Sequence, residues 1–176
     1  DAISGATVTV IAQNQVVMTS GTNIARQVGI LAPTVRDAAQ YVETGKSFTW
    51  DELVEQGNVQ RLLVKTEQVG LDPSSDPFIE LWFGDLNHPD VGRSVLGELG
   101  FRNLRDRLKP GEHAIFIVRT RGGESFKGSG FVRGGIYDRI QVKQGADAFT
   151  FRDLDYLNLY GLSAQGAPSF NESGIF

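Results

Sequence analysis

The first residues of the sequence place a threonine hydroxyl where a phosphate could be esterified to it. The string Asp1-Ala2-Ile3-Ser4-Gly5-Ala6-Thr7 leads into a segment with helical periodicity. At a helix start several backbone N–H groups lack intrahelical partners, and with the positive end of the helix dipole they favour an anion. Gly5 and Ala6 keep side-chain bulk away from the phosphate, and Asp1 offers a carboxylate to a metal that carries it. The string therefore suits a phosphate beside the Thr7 hydroxyl.

The same string also fits an ordinary helix entry. Ser4 or Thr7 would then be an N-cap residue, and Gly5 would relax the backbone. Thr9 is a rival acceptor, but it lies two residues too late in the string. Both interpretations need a helix directly after the string, and the apolar residues of 9–28 recur at helical spacing.

A second string, 125–140, combines glycines with cations and aromatic rings. It lacks the spacing of the Walker and dinucleotide motifs and is not followed by a predicted helix, so we reject nucleotide binding. One interpretation is a twisted hairpin with glycines at turns, in which the arginines form salt bridges with Asp138 or Asp153. The other is a basic and aromatic surface that docks a partner, with four candidate residues: Lys127, Arg133, Tyr137 and Arg139.

Composition excludes several function classes. The net charge of -4 gives no general attraction to nucleic acid, so we expect none to be contacted directly. The absence of cysteine rules out disulfides, iron–sulfur clusters and thiolate zinc sites in these residues. No run approaches the roughly 20 apolar residues of a membrane span, so any membrane contact is expected through segments outside this chain.

The remaining polar residues make a weak case for catalysis. His88 and His113 are far apart in sequence and lack nearby carboxylate spacing, so we predict neither a metal site nor a catalytic triad. Asp153 and Asp155 lie near a predicted strand end and could suggest a hydrolase. No nucleophile–base pair accompanies them, and solvated turn residues explain them more simply. We therefore predict no catalytic residues.

The periodicity predicts an α+β fold, with a helix after the first string and a domain of short helices and a mainly antiparallel sheet. We divide the chain into residues 1–47, the end of a cofactor-binding domain with its linker, and residues 48–176. The predicted elements of the second part are a helix after Thr49, which forms a capping box with Glu52; strands near 59–66, 78–83 and 114–118; helices over 89–96 and 101–108; a hairpin turn at Gly122-Gly123; strands over 125–132, 136–143 and 148–152; and a loop-rich tail from Tyr156.

Taken together, the strings resemble the NosR family, membrane-bound flavoproteins required for the expression and activity of nitrous oxide reductase. The string 1–9 is similar to the FMN-attachment region that this family shares with flavin subunits of sodium-pumping and Rnf-type redox complexes. The more specific similarities lie in 126–140, 151–153 and 166–170, and 91–98 also fits the family pattern. The resemblance touches most of the chain.

The resemblance implies a periplasmic domain of a polytopic inner-membrane protein that continues into transmembrane helices and iron–sulfur domains. It implies that a flavin transferase attaches FMN covalently to Thr7, with Asp1, Ser4, Gly5 and Ala6 as the surrounding motif. The flavin would pass electrons toward nitrous oxide reductase or support its maturation.

The family's flavin domain has strands before this motif that are absent here, so we expect a fragment that can lack the flavin carried by the intact protein. The chain is thus predicted to be an electron-transfer or assembly domain rather than a catalyst on its own. The alternative is a non-redox docking module for nitrous oxide reductase or its maturation factors.

Overall fold

The computed structural model describes residues 39–128, 131–144 and 147–176. The string at Thr7 and the predicted helix over 9–28 lie outside the described residues. The described residues form a larger unit, 40–126 with 155–176, and a smaller unit that includes those of 127–154. The predicted division at 47/48 stays a prediction.

The larger unit is built on an open, four-stranded antiparallel sheet with the strand order β1-β2-β3-β6. The smaller unit contains a two-stranded antiparallel sheet, β4-β5. This arrangement confirms the predicted α+β fold with a mainly antiparallel sheet. The elements are α1 (Trp50–Glu55), β1 (Gln60–Val64), a 3-10 turn (Thr66–Val69), β2 (Ile79–Asp85), α2 (Pro89–Arg105), β3 (Ile115–Arg121), β4 (Ile136–Gln144), β5 (Asp147–Arg152), a 3-10 turn (Asp153–Asp155) and β6 (Glu172–Ile175).

Helix α1 begins where its capping residues predict. The Thr49 hydroxyl accepts the backbone N–H of Glu52, and the Glu52 carboxylate accepts the backbone N–H of Thr49, which satisfies two donors at the helix start. The helix buries Trp50, whose ring meets those of Trp82 and Phe116 edge-on at centroid distances of 5.8 and 6.2 Å. These edge-to-face contacts attach α1 to the sheet.

The main core lies between α2 and the sheet. Val91 and Val95 are four residues apart, so both lie on one face of α2, and both are buried. Phe116 and Val118 alternate along β3 on one face of the sheet and are fully buried in the same cluster. Burying these apolar side chains stabilises the larger unit.

Helix α2 is interrupted at Gly97. This break agrees with the prediction of two separate helices over 89–96 and 101–108. Gly97 has φ 72° and ψ 166°, a conformation that is essentially confined to glycine. The break stops the regular hydrogen-bond pattern, and the Val95 carbonyl accepts the backbone N–H of Ser163 at 2.8 Å. A helix carbonyl thereby fixes a distant segment, 156–163, beside α2.

The predicted hairpin turn at Gly122-Gly123 and the predicted strand over 125–132 are wrong. Strand β3 ends at Arg121, and the next strand begins at Ile136. The Glu172 carboxylate accepts the Ser125 hydroxyl at 2.5 Å and the backbone N–H of Phe126 at 3.3 Å. These hydrogen bonds hold the chain against β6 and divert it from a return along β3. The tail predicted as loop in turn contains β6, which pairs with β3.

Residues 41–48, which we call the strap, cross the start of α2 without regular structure of their own. Polar groups of α2 and of the end of β2 hold the strap through its length. The contacts are Tyr41 Oη to Asp85, Glu43 to Arg93, the Thr44 N–H and hydroxyl and the Gly45 N–H to Asp90, and the Phe48 N–H to the Ser94 hydroxyl.

Asp90 is the centre of these contacts and is fully buried. Its Oδ2 accepts the N–H and the hydroxyl of Thr44 at 2.7 and 2.8 Å, and its Oδ1 accepts the N–H of Gly45 at 3.0 Å. Burial raises the pKa of Asp90, but these hydrogen bonds and the nearby His88 outweigh it, so the net pKa is lowered. Asp90 also lies in the first turn of α2, where the helix dipole favours a carboxylate. The structure therefore holds Asp90 in its charged form.

Replacing Gly97 with alanine should lower the free energy of unfolding by roughly 1–3 kcal/mol, because alanine is strained at this φ and ψ. Its Cβ would also lie 3.2 Å from the Ser163 hydroxyl. Urea unfolding followed by tryptophan fluorescence measures the loss, since Trp50 and Trp82 both lie in the larger unit. Gly123→Ala is the control, because a Cβ there meets nothing within 4 Å. Equal effects of the two substitutions would contradict this account of the break.

Replacing Asp90 with asparagine should lower the free energy of unfolding at neutral pH by roughly 2–3 kcal/mol, because an amide cannot accept all three hydrogen bonds as a carboxylate does. The folded pKa of Asp90 is below the ordinary 3.8. The stability it contributes is thus complete above 3.8 and is lost as the pH falls through the lowered value. The variant should therefore lose less stability on acidification than the parent chain, as urea unfolding across this range measures.

The matched control is Asp76→Asn, whose side chain is 78% exposed and contacts only the exposed Arg121 among the ion pairs of the described residues. It should change stability by less than about 0.5 kcal/mol. If Asp90→Asn behaved like this control, Asp90 would not hold the strap.

Candidate functional sites

The predicted attachment site lies outside the described residues. The first described residue is residue 39, and all five residues of the site precede it: Asp1, Ser4, Gly5, Ala6 and Thr7. The site stays a prediction from the sequence. The described residues contribute two other candidate sites, a polar cluster beside the strap and the segment 125–140.

The polar cluster brings together side chains that sequence reasoning kept apart. The Tyr41 hydroxyl donates to Asp85 Oδ2 at 2.6 Å, and the Nδ1 atom of His113 lies 3.5 Å from the same oxygen. The ring of His88 packs against that of Tyr41 at 5.3 Å. Burial, followed by the hydrogen bond and the negative charge of Asp85, raises the pKa of Tyr41, so its hydroxyl keeps its proton. Its geometry makes the cluster an anchor for the strap.

The spacing in the sequence indicates no carboxylate near His113, but strand pairing brings Asp85 to it. Asp85 at the end of β2 is opposite Ile115 at the start of β3, and His113 precedes that strand. Only the β2–β3 register could have revealed this contact from the sequence. No group of three or more His, Cys, Asp or Glu side chains in the described ranges could hold a metal ion.

The segment 125–140 joins the two units of the chain, and its described residues include all four partner-surface candidates. Lys127 lies over the ring of Phe131, with its Nζ 5.6 Å from the ring centroid. The Tyr137 ring packs against the same ring at 4.7 Å and is only 1% exposed. Tyr137 therefore has a packing role within the segment, whereas the side chains of Arg133 and Arg139 are exposed to solvent. A partner could reach the two arginines directly.

Asp153 fixes the turn that carries Arg133. Its Oδ2 accepts the backbone N–H of Gly134 at 2.8 Å, and its own backbone N–H donates to the Gly135 carbonyl at 2.9 Å. The sequence suggested a salt bridge between Asp153 and an arginine. In the structure Asp153 instead forms hydrogen bonds with the backbone of the turn. This use of the carboxylate favours a structural role over the hydrolase reading.

Two aromatic residues of the larger unit that flank 127–154, Phe126 and Tyr156, both contact the ring of Phe176. Phe126, fully buried, contacts the Phe176 ring edge-on at 6.1 Å, and Tyr156 contacts it at 5.7 Å. A Cβ at Gly174 would lie 2.7 Å from Tyr156 and 2.9 Å from Phe176, so only glycine allows this approach. The larger unit therefore fixes the residues from which 127–154 departs and to which it returns.

The exposed residues of the β4–β5 pair include both apolar and charged side chains. Val142 and Phe149 are cross-strand partners and are 37% and 47% exposed. Arg139 and Lys143 lie on β4 and are exposed as well. Aromatic and arginine side chains are enriched at protein interfaces, so this composition suits a protein partner.

Comparison with known proteins connects these features to one family. The chain is 41% identical to "Regulatory protein NosR" of Pseudomonas aeruginosa and 40% identical to the protein of that name from Stutzerimonas stutzeri, over 100% of its length in both cases. It is 32% identical to "Protein NirI" of Paracoccus denitrificans over 73% of its length. No family model matches the chain, and no solved structure matches it.

The chain spans about a quarter of the length of the NosR relatives, 27% in both cases, and 20% of the NirI relative. The alignments with the two NosR proteins cover the whole chain, which includes both candidate sites and the string at Thr7. The chain therefore belongs to the NosR family.

Proposed function

We propose that this chain is the periplasmic region of a NosR-type membrane protein that carries FMN covalently on Thr7. In this role it supports electron transfer to nitrous oxide reductase, and the maturation or expression of that enzyme. The observation that carries the proposal is identity of about 40% over the whole chain with two regulatory NosR proteins, since the matched region includes the string 1–7.

The broader role follows from the family. A NosR-family chain belongs to a regulatory or electron-transfer protein of denitrification, and its relatives include a NirI protein as well. Within the described residues no helix is long and apolar enough to cross a membrane. In this proposal the membrane is reached through parts of the protein outside this chain.

The attachment chemistry needs little from the chain beyond an exposed hydroxyl. A flavin transferase would join the Thr7 oxygen to the phosphate next to the riboflavin of a flavin dinucleotide; the phosphoanhydride bond would break, a nucleoside monophosphate would leave, and the hydroxyl proton would pass to solvent. Asp1 would offer its carboxylate to a metal that carries the pyrophosphate. When bound, the FMN supplies an acceptor and donor of electrons.

Replacing Thr7 with valine should abolish covalent flavin, because valine has the shape of threonine without its hydroxyl. The full-length protein is co-expressed with a flavin transferase, and in-gel fluorescence and intact mass measure the adduct. Thr9→Val is the matched control, since Thr9 is the nearby rival hydroxyl, and it should leave flavinylation unchanged. A fluorescent Thr7→Val protein would refute the assignment of Thr7, and an unmodified parent protein would refute covalent FMN.

The exposure of Arg133 and Arg139 favours a second candidate function, docking of nitrous oxide reductase or a maturation factor without a redox role. The double substitution of both arginines with glutamate should weaken that binding at least about tenfold, because charge reversal adds repulsion to the loss of attraction. Binding of purified nitrous oxide reductase measures this effect, and flavinylation should not change.

Lys65→Glu is the control for this reversal, because it changes a charge in the larger unit next to β1. Tyr137 should be left intact, since its buried ring supports the segment. Unchanged binding after reversal of both arginines would count against docking through this surface.

A further inference from the structure

The strap contacts the larger unit through polar groups and buries little apolar area of its own. Residues 42–47 are all exposed, and Val42 is 81% exposed. Only Tyr41 and Phe48, at the two ends of the strap, are half-buried. Since removing apolar area from water is the dominant favourable term in folding, the strap gains much less from its position than α2 gains from packing on the sheet.

The central contact of the strap is the one that opposes its opening. Three donors reach the buried Asp90 carboxylate from the strap, the N–H and hydroxyl of Thr44 and the N–H of Gly45. Arg93 of α2 lies 3.7 Å from Asp90 Oδ1, which is too far for a hydrogen bond. If the strap moved away, a charged group would lose its donors until water replaced them, which is costly in a buried position.

The other contacts of the strap can break without disturbing the helix or the sheet. The Tyr41 hydroxyl donates to Asp85 Oδ2 at 2.6 Å. The ion pair of Glu43 with Arg93 joins side chains that are 50% and 29% exposed, and ion pairs in contact with solvent contribute little. Because the partners of the strap on α2 and β2 are side chains, the backbone hydrogen bonds of both elements stay intact when the strap leaves.

The chain directly after the strap is anchored by contacts of its own. The backbone N–H of Thr49 donates to the Glu52 carboxylate, and that of Trp50 donates to the Gln165 carbonyl at 2.8 Å. The Trp50 side chain is buried in the main core. A movement of the strap can therefore end at Thr49 and leave α1 in place.

We propose that the strap is a lid that opens and closes on the start of α2 while the sheet and both helices stay folded, and that Asp90 sets the equilibrium between the two forms. Local opening is expected for segments with few apolar contacts and exposed hydrogen bonds. Opening releases the Asp90 carboxylate, the Arg93 guanidinium and the Ser94 hydroxyl from their strap partners, so the lid controls whether this polar surface is covered. The proposal stands whether or not Thr7 carries flavin.

Hydrogen exchange of the 176-residue chain, followed by NMR at neutral pH, distinguishes this opening from global unfolding. The Thr44 and Gly45 amides report on the strap, and those of Leu86 and Ile115, which donate to backbone carbonyls, report on the core. Relative to their intrinsic rates, the strap amides should exchange at least about tenfold faster than the core amides. They should respond little to sub-denaturing urea, because strap opening exposes little surface.

Two kinds of variant separate the lid from the core. Gly97→Ala should accelerate the exchange of the core amides roughly 5- to 30-fold and leave the strap amides unchanged, because global unfolding relieves the strain at the break in α2 and strap opening does not. Asp90→Asn should accelerate the strap amides by a similar factor. Thr44→Val, a second variant on the exposed strap, removes one of the three donors and should have a smaller effect in the same direction. Asp76→Asn is the control and should exchange like the parent chain.

Equal acceleration of strap and core amides in Gly97→Ala would overturn the proposal, because the strap would then open only when the chain unfolds. An equal dependence of both sets of amides on urea would have the same meaning. Strap amides that exchange unchanged in both Asp90→Asn and Thr44→Val would exclude Asp90 as the group that sets the equilibrium. Circular dichroism of each variant establishes that it is folded.

Discussion

A buried carboxylate that must remain charged determines how the chain enters the larger unit. A buried charge costs several kcal/mol unless it is paired and hydrogen-bonded. Arg93 of α2 supplies the positive charge, but at 3.7 Å from Asp90 Oδ1 it is too far to donate a hydrogen bond. Thr44 and Gly45 supply the hydrogen-bond donors from the strap, and the first turn of α2 adds its dipole. The strap and α2 are therefore coupled, because moving one away leaves the other with unsatisfied polar groups.

The sequence was most informative where the cause of a structure is local. Thr49 and Glu52 satisfy each other's helix-start donors within one turn, so α1 could be predicted from four residues. Gly97 interrupts α2 because its own backbone conformation is confined to glycine. Strand β2 is short, apolar and bounded by a proline-rich loop, and it formed as predicted. In each case the deciding interaction lies within a few residues.

The failures share a different cause, which is contact between distant parts of the chain. A Gly-Gly pair favours a hairpin turn, but the Glu172 carboxylate, 47 residues after Ser125, takes the donors that follow it. The pairing of His113 with Asp85 likewise requires β2 and β3 to be in register. The candidate site divides in the same way. The site at Thr7 is predicted from a string of local residues, whereas the polar cluster joins Tyr41 to Asp85, 44 residues later.

The segment 127–154 depends on residues of the larger unit at both of its ends. Phe126 and Tyr156, which flank this segment, both contact the ring of Phe176. Because these contacts hold the two ends of the segment close together, its residues lose less conformational entropy when they fold. Exposed arginines there can change without disturbing the main core, since Tyr137 and Asp153 fix the segment through their own contacts. The contact of residues 156–163 with α2 depends on Gly97 and on β6, within the larger unit. Because Glu172 of β6 also accepts the hydrogen bonds of Ser125 and Phe126, β6 supports the chain on both sides of 127–154.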